Sequence, residues 1–335
     1  MIPIETLHAM PKVELHVHLE GSIRPETLLK LARRHGISLP ADDLAGLERW
    51  YTFRDFPHFV EVYVAISQCI RTPEDLELIA REFLAGQAAQ NILHSEVTYT
   101  AATIEKHVGI PFDEQISALE SAMAYGRNEL GVSMSLILDI VRGHSVERAV
   151  QVAEWCVQAK GQGVCALGIA GEEWRGTAEY EPAYRLAREC GLPVVAHAGE
   201  TCGPEVIWDS LNIAQAVRIG HGVRCQEDPG LVEELRNRQV PLEVCPTSNV
   251  CLGVFTSLAD HPIKQLIDQG LYVTLNSDDP PMFGTTLTDE FARVSETFNL
   301  EVETCRLLSV RAADVALVDT NRKAELRAAI ASWQP

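Results

Sequence analysis

Eight short apolar segments, each followed by sequence of helical character, restrict what this chain can fold into more than any other feature. They are Val13–His18, Ile92–Tyr99, Ser133–Ile140, Cys165–Ala170, Pro193–His197, Val217–His221, Pro241–Cys245 and Tyr272–Ser277. Runs this rich in Val, Ile and Leu read as strands buried on both faces, which is the signature of a parallel sheet. Alternation with amphipathic helices makes the class α/β, and a count of eight favours closure into a (β/α)8 TIM-type barrel over an open sheet. The interval between the first and second segments is far longer than the others, and its patterning predicts helices over Pro25–His35 and Pro73–Gln90. A helical insertion after strand 1, covering about residues 24–90, is therefore expected. Within it Phe53, Phe56 and Phe59 fall three apart, which predicts one helical face, either over the barrel mouth or packed into the core of an extra helix. No low-complexity linker or internal repeat divides residues 1–335, so a single barrel domain is expected.

Composition removes several classes of function. A formal net charge of −19 opposes a phosphate-backbone binder, so a small-molecule ligand is expected and nucleic acid is not. Nine cysteines form no C-x-x-C pair, which points away from a disulfide framework and toward reduced thiols in a cytoplasmic setting. The opening Met1-Ile2-Pro3-Ile4-Glu5 has no basic region followed by an apolar core, so no secretory signal is expected. No apolar run approaches the ~20 residues that span a bilayer, and no membrane partner is expected. Oligomeric state has no signature in the sequence.

The ends of the predicted strands carry the chemistry. In Leu15-His16-Val17-His18-Leu19-Glu20-Gly21-Ser22 the two histidines are two apart, so on a strand they share a face and project together. His197 closes an apolar strand and is followed by Ala198-Gly199-Glu200, small residues that let the backbone turn and bring a carboxylate over the same pocket. His221 ends Ile219-Gly220-His221-Gly222, and the eighth segment ends Asn276-Ser277-Asp278-Asp279-Pro280. Adjacent side chains point to different sides, so the two aspartates are expected to do different work. Taken singly, each group has an ordinary explanation: a strand-end histidine donates to a carbonyl, and paired aspartates cap a helix. Together they place histidines and carboxylates from four strands at the carboxyl end of one barrel, where such barrels hold their active sites. Three imidazoles and a carboxylate suit a borderline divalent cation, Zn²⁺ first, with Fe²⁺ or Co²⁺ also compatible. Water bound to zinc can have its pKa lowered to about 7, which yields hydroxide at neutral pH. The fourth strand ends Gly168-Ile169-Ala170-Gly171-Glu172 without a lysine to bridge a second ion, so one ion per chain is expected.

In this order, H-V-H-L-E-G-S, H-A-G-E, R-I-G-H-G and N-S-D-D-P resemble the motifs of the adenosine and adenine deaminases, from about His16 to about Phe283. The resemblance implies an amidohydrolase-type barrel with one zinc ion that deaminates an adenine ring. It implies that His16, His18, His197 and Asp278 hold the metal. It also implies that Glu200 shuttles a proton to the ring nitrogen beside the amino-bearing carbon, while His221 orients and helps deprotonate the water. Asp279 would meet the imidazole edge of the ring and the Gly171 backbone its pyrimidine edge. Glu20 stands where nucleoside-processing members carry an acid on the ribose 5′ side. The H-x-E and P-C-x-x-C signature of the cytidine-type zinc deaminases is absent, so the chemistry they share would be convergent.

The same resemblance bears on the substrate. Gly171-Glu172 and Gly220 are similar to the nucleoside-type members, where adenine-specific members tend to carry Ser-Glu and Asp, so adenosine or a 5′-modified adenosine is the expected substrate. Two departures leave the 5′ substituent open: Glu20 replaces the usual aspartate, and Cys245-Pro246-Thr247-Ser248-Asn249 is similar to a run shared by adenine and aminodeoxyfutalosine deaminases. Adenine and aminodeoxyfutalosine, with its aromatic 5′ extension, are the alternatives. Two other classes compete. A different metal hydrolase on this barrel should show a bridging lysine or further ligands, and a non-catalytic binding barrel would need no intact acid and metal set.

Overall fold

The structure is a computed structural model, and it describes residues 2–335; Met1 lies outside the described residues. Eight strands form in chain order: β1 Lys12–His18, β2 Ile92–Tyr99, β3 Ser133–Val141, β4 Val164–Ala170, β5 Val194–Ala198, β6 Arg218–His221, β7 Leu242–Val244 and β8 Val273–Leu275. They lie in one sheet in the order β1 to β8, every neighbouring pair parallel, as the apolar runs require. Helices between successive strands cover the outside, completing the predicted α/β barrel.

The seam between β8 and β1 shows how closure is achieved. β8 ends at Leu275, and the next side chain takes over the ladder: Asn276 Oδ1 accepts from the Leu15 N–H at 2.9 Å and the His16 N–H at 3.2 Å. Beyond it the backbone pairs again, with His18 N donating to Asp278 O at 2.9 Å and Asp278 N to His16 O at 3.1 Å. One side-chain amide thus satisfies two backbone donors that would otherwise be stranded inside the protein.

Toward the amino ends of the strands the barrel interior is polar. The buried Arg218 donates from Nε to Glu243 Oε1 at 2.5 Å, from Nη2 to Glu96 Oε2 at 2.5 Å and from Nη1 to the Val315 carbonyl at 3.0 Å. Glu96 also accepts from the Leu317 backbone N–H. Buried charges persist only when paired and hydrogen-bonded, and this set meets that condition. The connection between the helices Val302–Val315 and Thr320–Ser332 therefore stoppers this end, with Leu317 against Ile137, Ala166 and Val195.

Four α-helices fill the long interval between β1 and β2: Pro25–His35, Leu44–Trp50, Phe56–Ser67 and Pro73–Ala89. Their ends follow local signals. Gly36 closes the first in the left-handed region, and Thr72 with Asp75 opens the last as a reciprocal capping box. The expected Phe53–Phe56–Phe59 helical face is corrected here. Asp55 caps the third helix by accepting from His58 N, so the helix starts at Phe56 and Phe53 stays in the preceding turn. The rings still meet, Phe53 to Phe59 at 5.3 Å and Phe59 stacked on Phe283 at 5.5 Å, through tertiary packing instead of helical periodicity.

Candidate active site

The carboxyl ends of the strands surround a cavity of about 760 Å³, part of it open to solvent. β1 supplies His16 and His18, β5 supplies His197, β6 ends in His221, and the turn after β8 carries Asp278 and Asp279. His221 and Asp278 both hold a positive φ, +61° and +66°, uncommon for residues with a side chain. Such backbone kinks at strand ends re-aim side chains, and strain of this kind concentrates at functional sites.

The groups expected to hold a metal converge. His18 Nε2 lies 3.1 Å from His197 Nε2 and 3.2 Å from Asp278 Oδ1, and His16 Nε2 lies 3.5 Å from the same Asp278 oxygen. His16 Nε2 has no hydrogen-bond partner although it is buried. The opposite nitrogens are engaged: His16 Nδ1 donates to Glu243 Oε2 at 2.9 Å, and His197 Nδ1 donates to the Ile169 carbonyl at 3.1 Å. A donor bond at Nδ1 leaves the lone pair on Nε2, the arrangement of a ligating histidine with its supporting partner. Ser248 Oγ donates to Asp278 Oδ2 at 2.7 Å, which leaves Oδ1 facing the imidazoles. This His/Asp cluster fits a divalent cation by its donor chemistry. Two sets of potential ligand atoms lie close together, His16, His197, His221 and Asp278 in one and His18, Asp278 and Asp279 in the other, with His221 Nε2 4.0 Å from Asp278 Oδ2 and 3.6 Å from Glu200 Oε2.

Electrostatics separates the carboxylates by task. Burial, then the charges of Asp278 and Glu173, push the Glu200 carboxyl well above the usual range. Burial and the adjacent Asp278 charge do the same to Asp279, whose Oδ1 is buried without a partner in the protein. Burial with the neighbouring Asp139 lifts Glu20 to about 7. Glu20 accepts from Tyr63 OH at 3.0 Å and from Thr100 N at 2.9 Å. Gly171, in the left-handed region at +87°, lines the cavity beside Ala170. Glu20 lies in the turn after β1 and Asp278 and Asp279 after β8; with the histidines, Glu200 and Gly171 they make up every residue singled out from the sequence, and all lie at this end of the barrel.

Several supporting residues escape motif reading. Glu173 accepts from Glu200 N at 3.0 Å and Cys202 N at 2.8 Å, pinning the turn that carries Glu200. Arg142 donates to the His197 carbonyl at 2.6 Å. Asn249 donates to Glu200 Oε1 at 3.2 Å. Asp139, on β3, lines the cavity with a buried, unpartnered Oδ1. The available signal was a charge inside an apolar run, as at Asp139, Arg218 and Glu243, or a polar run just past a strand, as at Ser248 and Asn249.

Known proteins agree with this geometry. An adenine deaminase of Bordetella parapertussis is 37% identical over 313 residues, 93% of this chain and 98% of that protein. An aminodeoxyfutalosine deaminase of Streptomyces avermitilis is 35% identical over 327 residues, 97% of this chain and 91% of that one. The crystal structure of an amidohydrolase from Burkholderia ambifaria with bound Zn superposes with a TM-score of 0.91 at 27% identity, covering 99% of this chain and 93% of that one. The profile of the family described as adenosine deaminase matches residues 11–333, and with barrel, cluster and relatives in accord, the chain belongs to the adenosine deaminase family.

Proposed function

We propose that this protein hydrolyses the 6-amino group of the adenine ring in a nucleoside bearing an aromatic 5′ extension, of which aminodeoxyfutalosine is the type. The observation that carries the reading is the two-sided cavity. Its floor is polar, with His18, His197, Glu200, Asp278 and Asp279, while its outer wall is apolar, with Phe56, Phe59, Val60, Val64, Val141 and Leu252. A free base would occupy the floor and leave the wall against water, whereas an aromatic 5′ group would cover it. The Streptomyces relative's name and the longer Glu20 carboxylate support this choice over plain adenosine. The Bordetella relative's name supports a second reading, free adenine.

In this reading His16, His18, His197 and Asp278 hold one divalent cation, zinc as in the Burkholderia neighbour. When bound, that ion supplies the Lewis acidity that activates the attacking water. The chain's own groups handle the remaining protons. Attack at the amino-bearing carbon breaks ring aromaticity, so the adjacent ring nitrogen must gain a proton as the bond to oxygen forms. Glu200, kept protonated by burial and neighbouring charge, gives its proton to that nitrogen, where it stays in the product; of the water's two protons one leaves with the amine as ammonia and the other, released as the 6-oxo group forms, restores Glu200. Asp279, also held protonated, can donate from its unpartnered oxygen to the imidazole nitrogen of the ring. The Gly171 backbone meets the pyrimidine edge, and Glu20 with Tyr63 meets the sugar.

Metal-loaded protein incubated with adenine, adenosine, 5′-deoxyadenosine, methylthioadenosine and aminodeoxyfutalosine, with ammonia release followed, tests the proposal. The highest kcat/KM is expected for aminodeoxyfutalosine. Turnover of adenine alone overturns the 5′ reading, and silence on all five overturns deamination.

A further inference from the structure

The geometry points to a three-residue relay, His261–Asn249–His221, that locks His221 in one tautomer, with its proton on Nε2 facing the cavity. The inference rests on the reading of this cavity as a deaminase site, and it assigns work to Asn249 and His261 that no motif gives them.

The relay is anchored at a backbone donor, whose proton position is fixed. Ile263 N–H donates to His261 Nδ1 at 3.2 Å, so that nitrogen carries a lone pair. His261 is buried, and burial holds it neutral, its pKa brought down to about 3. A neutral imidazole with a lone pair on Nδ1 has its proton on Nε2. That Nε2–H donates to Asn249 Oδ1 at 3.1 Å, which fixes which end of the amide is oxygen. The amide nitrogen of Asn249, fully buried, then faces Glu200 Oε1 at 3.2 Å and His221 Nδ1 at 3.3 Å, one hydrogen for each. His221 Nδ1 is an acceptor in that bond, so the His221 proton resides on Nε2, 3.6 Å from Glu200 Oε2.

The opposite amide orientation would set the Asn249 NH₂ against the protonated Nε2 of His261, a repulsive contact within a buried network, where an unsatisfied polar group costs most. His221 therefore enters the reaction as a hydrogen-bond donor toward the cavity. Removal of the water's proton by His221, which the family resemblance implied, is not available to this tautomer. Asn249 and His261 are positioning residues.

The test uses full-length, zinc-loaded protein labelled with ¹⁵N-histidine, with two-bond ¹H–¹⁵N spectra and His221 assigned by its loss in His221→Gln. The wild type is expected to show a pyrrole-like Nε2 and a pyridine-like Nδ1 at His221. Asn249→Asp replaces the donor by an acceptor, and the pattern should reverse while kcat falls about 10²–10³-fold, the range for loss of one positioned hydrogen-bond donor at the reacting centre. If that variant folds poorly, His261 supplies the second test. His261→Gln, whose amide N–H can still donate to Asn249, should keep the wild-type pattern and kcat within about threefold, whereas His261→Leu should lose both. A pyridine-like Nε2 in the wild type overturns the relay, as does an unchanged pattern in Asn249→Asp. Failure to deaminate any adenine compound with the tautomer pattern as expected would sink the substrate reading and still support the relay.

Discussion

Replacing Gly21 with alanine isolates the contribution of Asp279. Gly21 lies in the short turn Glu20–Ser22 that follows β1, and its backbone is outside the left-handed region, so a side chain there is not resisted by torsional strain. Space is what it lacks. A Cβ at Gly21 would stand 2.5 Å from Asp279 Cγ and 2.8 Å from Asp279 Cβ, with Oδ1 closer still. Non-bonded carbons rest at about 3.5–4.0 Å, so the aspartate must withdraw by about 1 Å. A misplacement of that size can cost about 10²-fold in rate, equivalent to about 2.7 kcal/mol of activation free energy. Asp279 is outside the proposed metal set, so the loss should appear in kcat/KM with metal content at one ion per chain and with a far-ultraviolet spectrum like that of the wild type. Steady-state kinetics with the best of the five adenine compounds, beside elemental analysis of the purified variant, gives the answer. A folded, metal-replete Gly21→Ala enzyme within threefold of wild-type kcat/KM would show that the Asp279 carboxylate has no defined position to defend.

Other perturbations separate chemistry from scaffold. Glu200→Gln keeps the shape but not the transferable proton, so kcat should fall about 10²–10⁴-fold with zinc retained; loss of zinc instead would place Glu200 among the ligands. Asn276→Leu strands the Leu15 and His16 N–H groups at the seam, at about 1–3 kcal/mol each, readable as a lower urea midpoint with an unchanged slope. Burial alone would raise the Glu96 carboxyl, but the Arg218 charge outweighs it and holds the group down at about 2, against 4.5 when unfolded. Its folded pKa is depressed, so this stabilisation, about 3 kcal/mol at most, is complete above pH 4.5 and drains away as pH falls toward 2. The stability gap between wild type and Glu96→Gln should shrink across that window, and a gap independent of pH would refute the pairing.

Much of this architecture was readable in the residues, and the parts that were not share a physical cause. Strand positions followed from runs such as Cys165–Ala170, because burial on both faces leaves an uninterrupted apolar stretch. Helix ends at Pro25–His35 followed from Pro at the start and Gly36 after the end. The side chains of His16, His18, His197, Glu200, His221, Asp278 and Asp279 were legible because each sits near or just past the carboxyl end of a strand, where the barrel directs it to one place. Glu243, Arg142 and Asn249 were not, since what matters in them is a partner distant in sequence. His16 and Glu243, for example, are joined by a hydrogen bond across 227 positions. The Phe53 turn failed for a local reason: spacing of three mimics a helical face, but Asp55 starts the helix two residues later. The apolar wall on which the proposed 5′-extended substrate rests is built from the helix Phe56–Ser67 together with β3 and Leu252 and is not visible in any one segment.

The stopper at the amino end of the barrel has a consequence for biosynthesis. Glu96 and Arg218 emerge from the ribosome long before Val315 and Leu317, whose backbone groups complete their hydrogen bonding. Glu96 and Arg218 can pair with each other once both are made, but until the chain reaches Leu317 the nascent sheet would enclose polar groups whose backbone partners are missing, a penalty that works against its consolidation. Vectorial, strand-by-strand assembly is thereby discouraged, and the barrel locks only when its last turn arrives, so the nascent chain must be kept from aggregating until synthesis is nearly done.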